Sequence, residues 1–186
     1  MAEIVNGKLM IGDEVFVPFI EESRLQQRIK ELGERISEDY RGKTPIFIGV
    51  LNGAFLFLSD LVKNVDIDCE IDFFKLSSYG DAKISSGKVT LIKELNCDVT
   101  GRDIIIVEDI VDSGLSIKFI QEHIARHNPS SVRVVALLAK PKSLKYNLKI
   151  DYIGFDIPSA FVVGYGLDYA QKYRNLRSIY ILENSK

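Results

Sequence analysis

The chain has 186 residues, and its 24 basic and 26 acidic side chains leave a formal net charge of −2. That length suits one well-cored domain, and 46% apolar with 27% charged residues is the balance of a folded protein rather than a disordered segment. Near-neutral charge speaks against a life of electrostatic contact with nucleic acid, no apolar run approaches the roughly 20 residues of a membrane span, and Cys69 and Cys97 make neither a disulfide framework nor a CxxC metal clamp. With no basic-then-apolar leader, the expectation is a cytoplasmic, single-domain protein over residues 1–186, with neither nucleic-acid nor membrane partners.

From the N-terminus, Gly12-Asp13 is expected to turn a short hairpin between Lys8–Ile11 and residues 15–19. A helix follows, because Leu25, Ile29, Leu32, Ile36 and Tyr40 recur at steps of three and four with charged residues between them. Residues 46–51 are a short continuous apolar run ending at Asn52-Gly53, read as a buried strand entering a tight turn, and a helix is expected over 54–62. Glu70–Ser78 reads as a strand and 89–92 as its antiparallel return. The connection, residues 79–88, is polar, small and glycine-bearing. It is too poor in apolar groups to be held by burial and is expected to be a mobile lid.

The alternation then repeats. An aliphatic strand at 104–107 precedes a helix whose stripe is Ile117, Ile120 and Ile124, and a second aliphatic strand at 132–138 is stopped by Lys140-Pro141. Strand, helix, strand, helix, strand predicts right-handed crossovers and a mostly parallel, twisted sheet flanked by helices, an α/β fold.

No GxxxxGK followed by Ser or Thr is present, and no GxGxxG follows the first strand; this excludes a P-loop and speaks against a dinucleotide site. His123 and His127 stand one helical turn apart, but no third ligand accompanies them before Asn128-Pro129. They are read as solvated residues complementing a helix dipole.

The informative segment is residues 107–116, VEDIVDSGLS. Glu108, Asp109 and Asp112 fall within five residues at the end of an apolar strand, where they repel one another unless a cation or a hydroxyl-rich ligand sits among them. Ser113, Gly114, Leu115 and Ser116 then open the next helix, a turn that directs backbone N–H groups at one point and so suits a phosphate. An anion cradle beside carboxylates matches a ribose 5-phosphate with a divalent metal. A helix with a capped, acidic first turn is the plain structural alternative, and a receiver-type phosphoacceptor is a weaker one.

VEDIVDSGLS also resembles the phosphoribosyl-pyrophosphate motif of the purine phosphoribosyltransferases. From about residue 10 onward the chain resembles the hypoxanthine(-guanine) branch of that family, block by block and in the same order. Asn52 and Gly53 resemble its pyrophosphate-binding turn, and Ser78-Tyr79 its closing lid. Lys140, after Leu137-Leu138-Ala139, resembles the base-recognising lysine. Residues 161–169 (FVVGYGLDY), with Tyr173-Arg174, resemble the hood over the purine. Ser116 stands where many members carry Thr, and Asn52 where some carry Lys.

The resemblance implies a type I phosphoribosyltransferase fold with a small hood built from the N-terminal hairpin and residues 158–186. It implies a glycosyltransferase of purine salvage, moving 5-phosphoribose from phosphoribosyl pyrophosphate to N9 of hypoxanthine or guanine. Glu108 and Asp109 are the implied holders of the ribose hydroxyls and of Mg²⁺, with Asp168 serving a second metal beside the purine. Asp112 is the implied general base, and the turn from Asp112 to Ser116 the implied 5′-phosphate site. Lys140 is implied to donate to the 6-oxo group, Phe161 to stack on the base and Val162 to bond its edge. Asn52, Gly53 and Arg174 are implied to contact pyrophosphate. The family's members are homodimers or homotetramers. A nucleotide-sensing regulator on this fold and a transferase preferring xanthine are the alternatives the sequence leaves open.

Overall fold

The structure, a computed structural model, describes residues 3–78, 89–93 and 95–183. Its centre is a six-stranded sheet built from β4 (Ile46–Leu51), β5 (Glu70–Ser78), β6 (Val89–Lys93), β7 (Asp103–Val111), β8 (Ser131–Ala139) and β9 (Tyr152–Asp156), in the order β6-β5-β4-β7-β8-β9. All neighbours run parallel except β6, which returns antiparallel beside β5. Helices cover both faces, as the near-continuous apolar strands require. Helices α1 (Glu22–Asp39) and α2 (Phe55–Lys63) lie on one face with Phe47, Ile105 and Val107. Helix α3 (Leu115–Ala125) lies on the other with Ile46, Ile48, Ile104 and Ile106.

Pattern and burial agree closely for the helices. The predicted stripe of α1 (Leu25, Ile29, Leu32, Ile36) is at most 1% exposed, and each such side chain contributes about 1.5–3 kcal/mol of hydrophobic stabilisation. Ile117, Ile120 and Ile124 of α3 are buried likewise. The cysteines are free and half-buried.

A second, antiparallel sheet forms the hood. It joins β1 (Glu3–Val5), β2 (Lys8–Ile11), β3 (Glu14–Ile20), β10 (Val162–Val163) and β11 (Ile179–Leu182) in the order β1-β2-β3-β11-β10. The N-terminal hairpin is thus paired with the C-terminal strand, Val17 opposite Ile181. The two sheets share a core, because Val162, Tyr165, Leu167 and Ile179 of the hood belong to the same buried cluster as α1 and α2.

Strand β7 departs from the expected 104–107: it runs on to Val111, with Glu108 opposite Ala136 and Val111 opposite Ala139. Glu108 and Asp109 therefore lie inside the strand rather than in the turn beyond it. Their charges end the apolar run in the sequence, but β8 continues alongside and keeps the ladder going. Of the expected lid, Ser78 is the last residue of β5, while Tyr79 and residues 80–88 lie outside the described residues.

Candidate active site

Strand order reverses between β4 and β7: from β4 the chain moves outward through β5 and β6, and from β7 outward through β8 and β9. In open α/β sheets ligands bind outside the carboxyl ends of the strands at such a switch point. Two turns meet there, Asn52-Gly53 after β4 and residues 112–114 after β7.

The second turn passes through Gly114 in the left-handed region (φ 82°), and α3 begins without a side-chain cap. Leu115 N–H donates weakly to Ser113 Oγ at 3.4 Å, and the other first-turn N–H groups face the space before the helix, the arrangement that attracts a phosphate. Glycine suits this position because its φ strains any residue with a side chain, and a Cβ on Gly114 would also push on Leu148 Cδ1, 2.4 Å away. The Lys145 N–H donates to the Ser113 carbonyl at 3.1 Å, so the segment after β8 clamps the turn from outside. The result is a cavity of about 100 Å³ lined by Glu108, residues 110–112, Ser113, Gly114, Leu115, Ser116 and Ile117.

A larger cavity of about 260 Å³ opens beside it, lined by Asp109, Ile110, Asp112, Lys140, Phe161, Val162, Leu167 and Asp168. Lys140 Nζ pairs with Asp112 Oδ2 at 2.8 Å, its own side chain only 12% exposed. On the hood side Phe161 is 37% exposed and lines the larger cavity. It is braced from behind by edge-to-face contacts with Phe16 (6.2 Å) and Tyr169 (5.8 Å), a favoured geometry for aromatic pairs. Arg174 NH2 pairs with Asp168 Oδ1 at 2.8 Å, and Arg174 NH1 donates to the Gly166 carbonyl at 2.8 Å.

Glu108 and Asp109 do not form a pair on one side. Neighbours in a pleated strand point to opposite faces, so Glu108 lines the turn cavity before α3 and Asp109 the larger one under the hood. Both resist ionisation. Burial first, and then the charge of Asp109, hold Glu108 well above the usual carboxylate range. Burial also pushes Asp109 up to about 6. One carboxylate oxygen of Glu108, Oε2, is buried without a hydrogen-bond partner, a costly state unless a ligand supplies what it lacks. The Asp109 carboxylate lies against the Cα of Gly53, where a Cβ would come within 1.7 Å of Oδ2.

One cavity thus gathers Asp109, Asp112, Lys140, Phe161, Val162 and Asp168. Glu108 and residues 113–116 share the adjoining one, reached by Asp112 as well. Arg174 reaches the larger cavity through Asp168, Gly53 through Asp109. Asn52 is exposed and lines neither cavity, and the side chains of Ser78 and Tyr79 lie outside the described residues. Leu167 lies in the block expected to form the hood; Ile110 was not anticipated as a lining residue, nor Phe16 as the brace of Phe161.

His123 departs from the solvated reading. It stacks on Phe119 and meets Phe74 edge-on, 5.4 Å between centroids, while His127 is exposed. The cause is the aliphatic and aromatic surface of β5 lying under the last turn of α3. Among the described residues no group of three or more His, Cys, Asp or Glu stands placed to hold a metal ion, and no helix is long and apolar enough to cross a membrane.

Comparison with known proteins agrees with this geometry. The model of the phosphoribosyl transferase domain family matches residues 20–170. The hypoxanthine-guanine phosphoribosyltransferase of Bacillus subtilis (strain 168) is 45% identical over 174 residues, 94% of this chain and 97% of the relative. That of Mycobacterium tuberculosis (strain H37Rv) is 46% identical over 166 residues, covering 86% of this chain and 82% of the relative. A crystal structure of a hypoxanthine-guanine phosphoribosyltransferase from Bacillus anthracis superposes with a TM-score of 0.85 at 42% identity, over 89% of this chain and 98% of that one. The family match spans the central sheet and both turns at its switch point, and the chain belongs to the phosphoribosyl transferase family, on its hypoxanthine-guanine branch.

Proposed function

We propose that the chain transfers 5-phosphoribose from phosphoribosyl pyrophosphate to N9 of hypoxanthine or guanine, giving IMP or GMP and pyrophosphate. The observation that carries this reading is the adjacency of the two cavities. An anion-binding helix start and an aromatic-walled slot holding a Lys–Asp pair share Asp112 at their boundary.

The N–H groups of the turn from Ser113 to Ser116, with the Ser113 and Ser116 hydroxyls, hold the 5′-phosphate. Glu108 and Asp109, on the two faces of β7, take the ribose hydroxyls and favour the positive charge that grows on the sugar as the C1′–oxygen bond to pyrophosphate breaks. N9 of the purine attacks C1′, the electron pair of the broken bond leaves with pyrophosphate, and the N7 proton passes to Asp112. Lys140 and Asp112, 2.8 Å apart, present a donor and an acceptor side by side. A 6-oxopurine offers the complement, its O6 accepting and its N7–H donating. Adenine turns an amino donor toward the Lys140 donor, so the half-buried ammonium meets a second donor instead of an acceptor, which is the basis for rejecting it. Phe161 supplies the stacking face, Val162 the backbone contact at the base's edge, and Gly53 and Arg174, with Asn52 at the rim, the pyrophosphate side.

A hard divalent cation such as Mg²⁺ would find an oxygen donor on either face of β7, Asp109 toward the hood cavity and Glu108, with one buried oxygen unpartnered, toward the helix start. With one such protein ligand on each side, substrate oxygens and water would complete its shell, as is usual for this ion. When bound, the cation neutralises the charge of the departing pyrophosphate. We place Asp168 with Arg174 at a second such site, the enzyme in the cytoplasm with its charged substrate, and its assembly as a homodimer or homotetramer, which light scattering decides.

The test is turnover with phosphoribosyl pyrophosphate, Mg²⁺ and each of hypoxanthine, guanine, xanthine and adenine, read by chromatography. IMP and GMP with little AMP are expected. XMP as the dominant product overturns the base assignment, and no product with any base overturns the enzyme.

A further inference from the structure

The hood turn that carries Asp168 is held in an unfavourable backbone conformation. Tyr165 lies in the left-handed region (φ 50°), between Gly164 (φ 104°) and Gly166 (φ 95°), a place where a bulky aromatic is rarely found and which persists only when the surroundings enforce it. Tyr165 is 4% exposed. Its hydroxyl crosses to α2 and donates to Asp60 Oδ2 at 2.5 Å, where Gln26 Nε2 of α1 also donates, at 2.9 Å. Lys63 Nζ holds the other oxygen of Asp60 at 2.6 Å.

From this anchor the turn is stitched forward. The Tyr165 N–H donates to the Leu176 carbonyl at 2.8 Å and the Gly166 N–H to the Arg174 carbonyl at 2.9 Å. Gly166 itself presses on the other turn of the site: a Cβ there would lie 2.2 Å from the Gly53 carbonyl oxygen. Neither Asp60 nor Tyr165 lines the cavities, so both act at one remove. Burial, and then the Asp60 carboxylate, push the Tyr165 hydroxyl well above its usual pKa, which keeps it a donor.

We infer that Asp60, half-buried, and Tyr165, buried, are a positioning pair that sets Gly166, Asp168 and Arg174 against the Asn52-Gly53 turn, and so fixes the pyrophosphate end of the site while leaving Lys140 and Phe161 of the purine end in place. The inference rests on the reading of Asp168 and Arg174 as the pyrophosphate side.

The test uses Tyr165→Phe, which removes one oxygen and keeps the ring, with Asp60→Asn, which keeps an acceptor, and Asp60→Ala, which does not. Calorimetric titration with inorganic pyrophosphate and with phosphoribosyl pyrophosphate, both with Mg²⁺, is the primary readout, followed by KM for each substrate. Tyr165→Phe is expected to weaken both phosphorylated ligands about tenfold, the scale of one hydrogen bond to a charged group, and to leave KM for hypoxanthine within about twofold. Asp60→Asn should sit nearer wild type than Asp60→Ala, and Tyr165→Phe with Asp60→Ala should be no weaker than the worse single variant. Unchanged pyrophosphate affinity in Tyr165→Phe overturns the pair, and so do parallel losses for purine and phosphoribosyl pyrophosphate. A wild type that binds pyrophosphate yet turns over no purine refutes the proposed reaction alone, since the binding arm still judges the pair.

Discussion

Gly53→Ala is the sharpest perturbation the site offers, because its one methyl group lands on the carboxylate of Asp109. A Cβ at Gly53 would stand 1.7 Å from Asp109 Oδ2 and 2.4 Å from its Cγ, while ordinary contact begins near 3.4 Å. The carboxylate must therefore retreat by about 1.5 Å or more, as taking 1.7 Å to contact distance requires. Backing the turn away instead is blocked, since the Gly53 carbonyl already touches Gly166 from behind. A displacement of about 1 Å in a reacting constellation costs roughly 10²-fold in rate, so kcat/KM for phosphoribosyl pyrophosphate should fall by about that factor or more. Overpacking costs about 1–3 kcal/mol, partly offset by about 0.4–1 kcal/mol from a stiffer unfolded chain. At roughly 2–4 °C per kcal/mol for a chain of this size, Tm should drop only a few degrees. Steady-state kinetics of IMP formation together with calorimetric melting checks both numbers. Wild-type kcat/KM in Gly53→Ala would refute the placement of Asp109, and so would a collapse of Tm with no separate kinetic effect at low temperature.

Asp112→Asn keeps the shape of the pocket and removes the proton acceptor, so kcat should fall about 10²–10⁴-fold with a smaller change in affinity for phosphoribosyl pyrophosphate by titration; equal losses would make Asp112 a substrate holder. Lys140→Ala should raise KM for hypoxanthine and guanine roughly ten- to a hundredfold, the range for a lost charged hydrogen bond, and unchanged kinetics would take Lys140 out of the base pocket. Asp109 ionises at about 6 in the folded protein against an ordinary 3.8, so between those values the folded state holds the extra proton. Asp109 should therefore lower the stability of the free protein by up to about 3 kcal/mol as pH rises from about 4 to 6, and Glu108, also held above its ordinary range, carries the fall to higher pH. Melting between pH 4 and 6 should show a steeper fall in wild type than in Asp109→Asn; Asp72, held low by three backbone N–H groups against its burial, acts mainly below this window.

The parallel core was readable because each of its elements announces itself locally. The stripe Leu25, Ile29, Leu32, Ile36 can only be one face of a helix, and the run at 46–51 can only be buried on both sides. What stayed hidden was pairing across the length of the chain. Strand β11 earns its place by lying beside β3, Tyr180 opposite Pro18, and β10 is two residues long. Neither β9 nor β1 has a periodicity that distinguishes it from a loop, since short strands are specified by their neighbours rather than by themselves.

The same divide runs through the site. Asp112, Gly114 and Lys140 were legible because turn chemistry is local: a helix start needs a particular backbone, and a lysine before proline marks a strand end. The two carboxylates of β7 were legible as residues and misleading as geometry. Side by side in the sequence they look like one cluster, whereas the pleat sends Glu108 to the helix start and Asp109 to the hood. That separation puts one acid on each cavity, and β7 becomes the wall through which the two communicate: the charge of Asp109 bears on Glu108 across the strand. The Tyr165–Asp60 bond lay beyond reach for the opposite reason. Its partners are 105 residues apart in sequence, and a tyrosine between two glycines signals a tight turn without saying where its hydroxyl goes. Long-range bonds of this kind decide how accurately the local motifs meet, which is why the residues of such a site can be read from a sequence while their alignment has to be read from the fold.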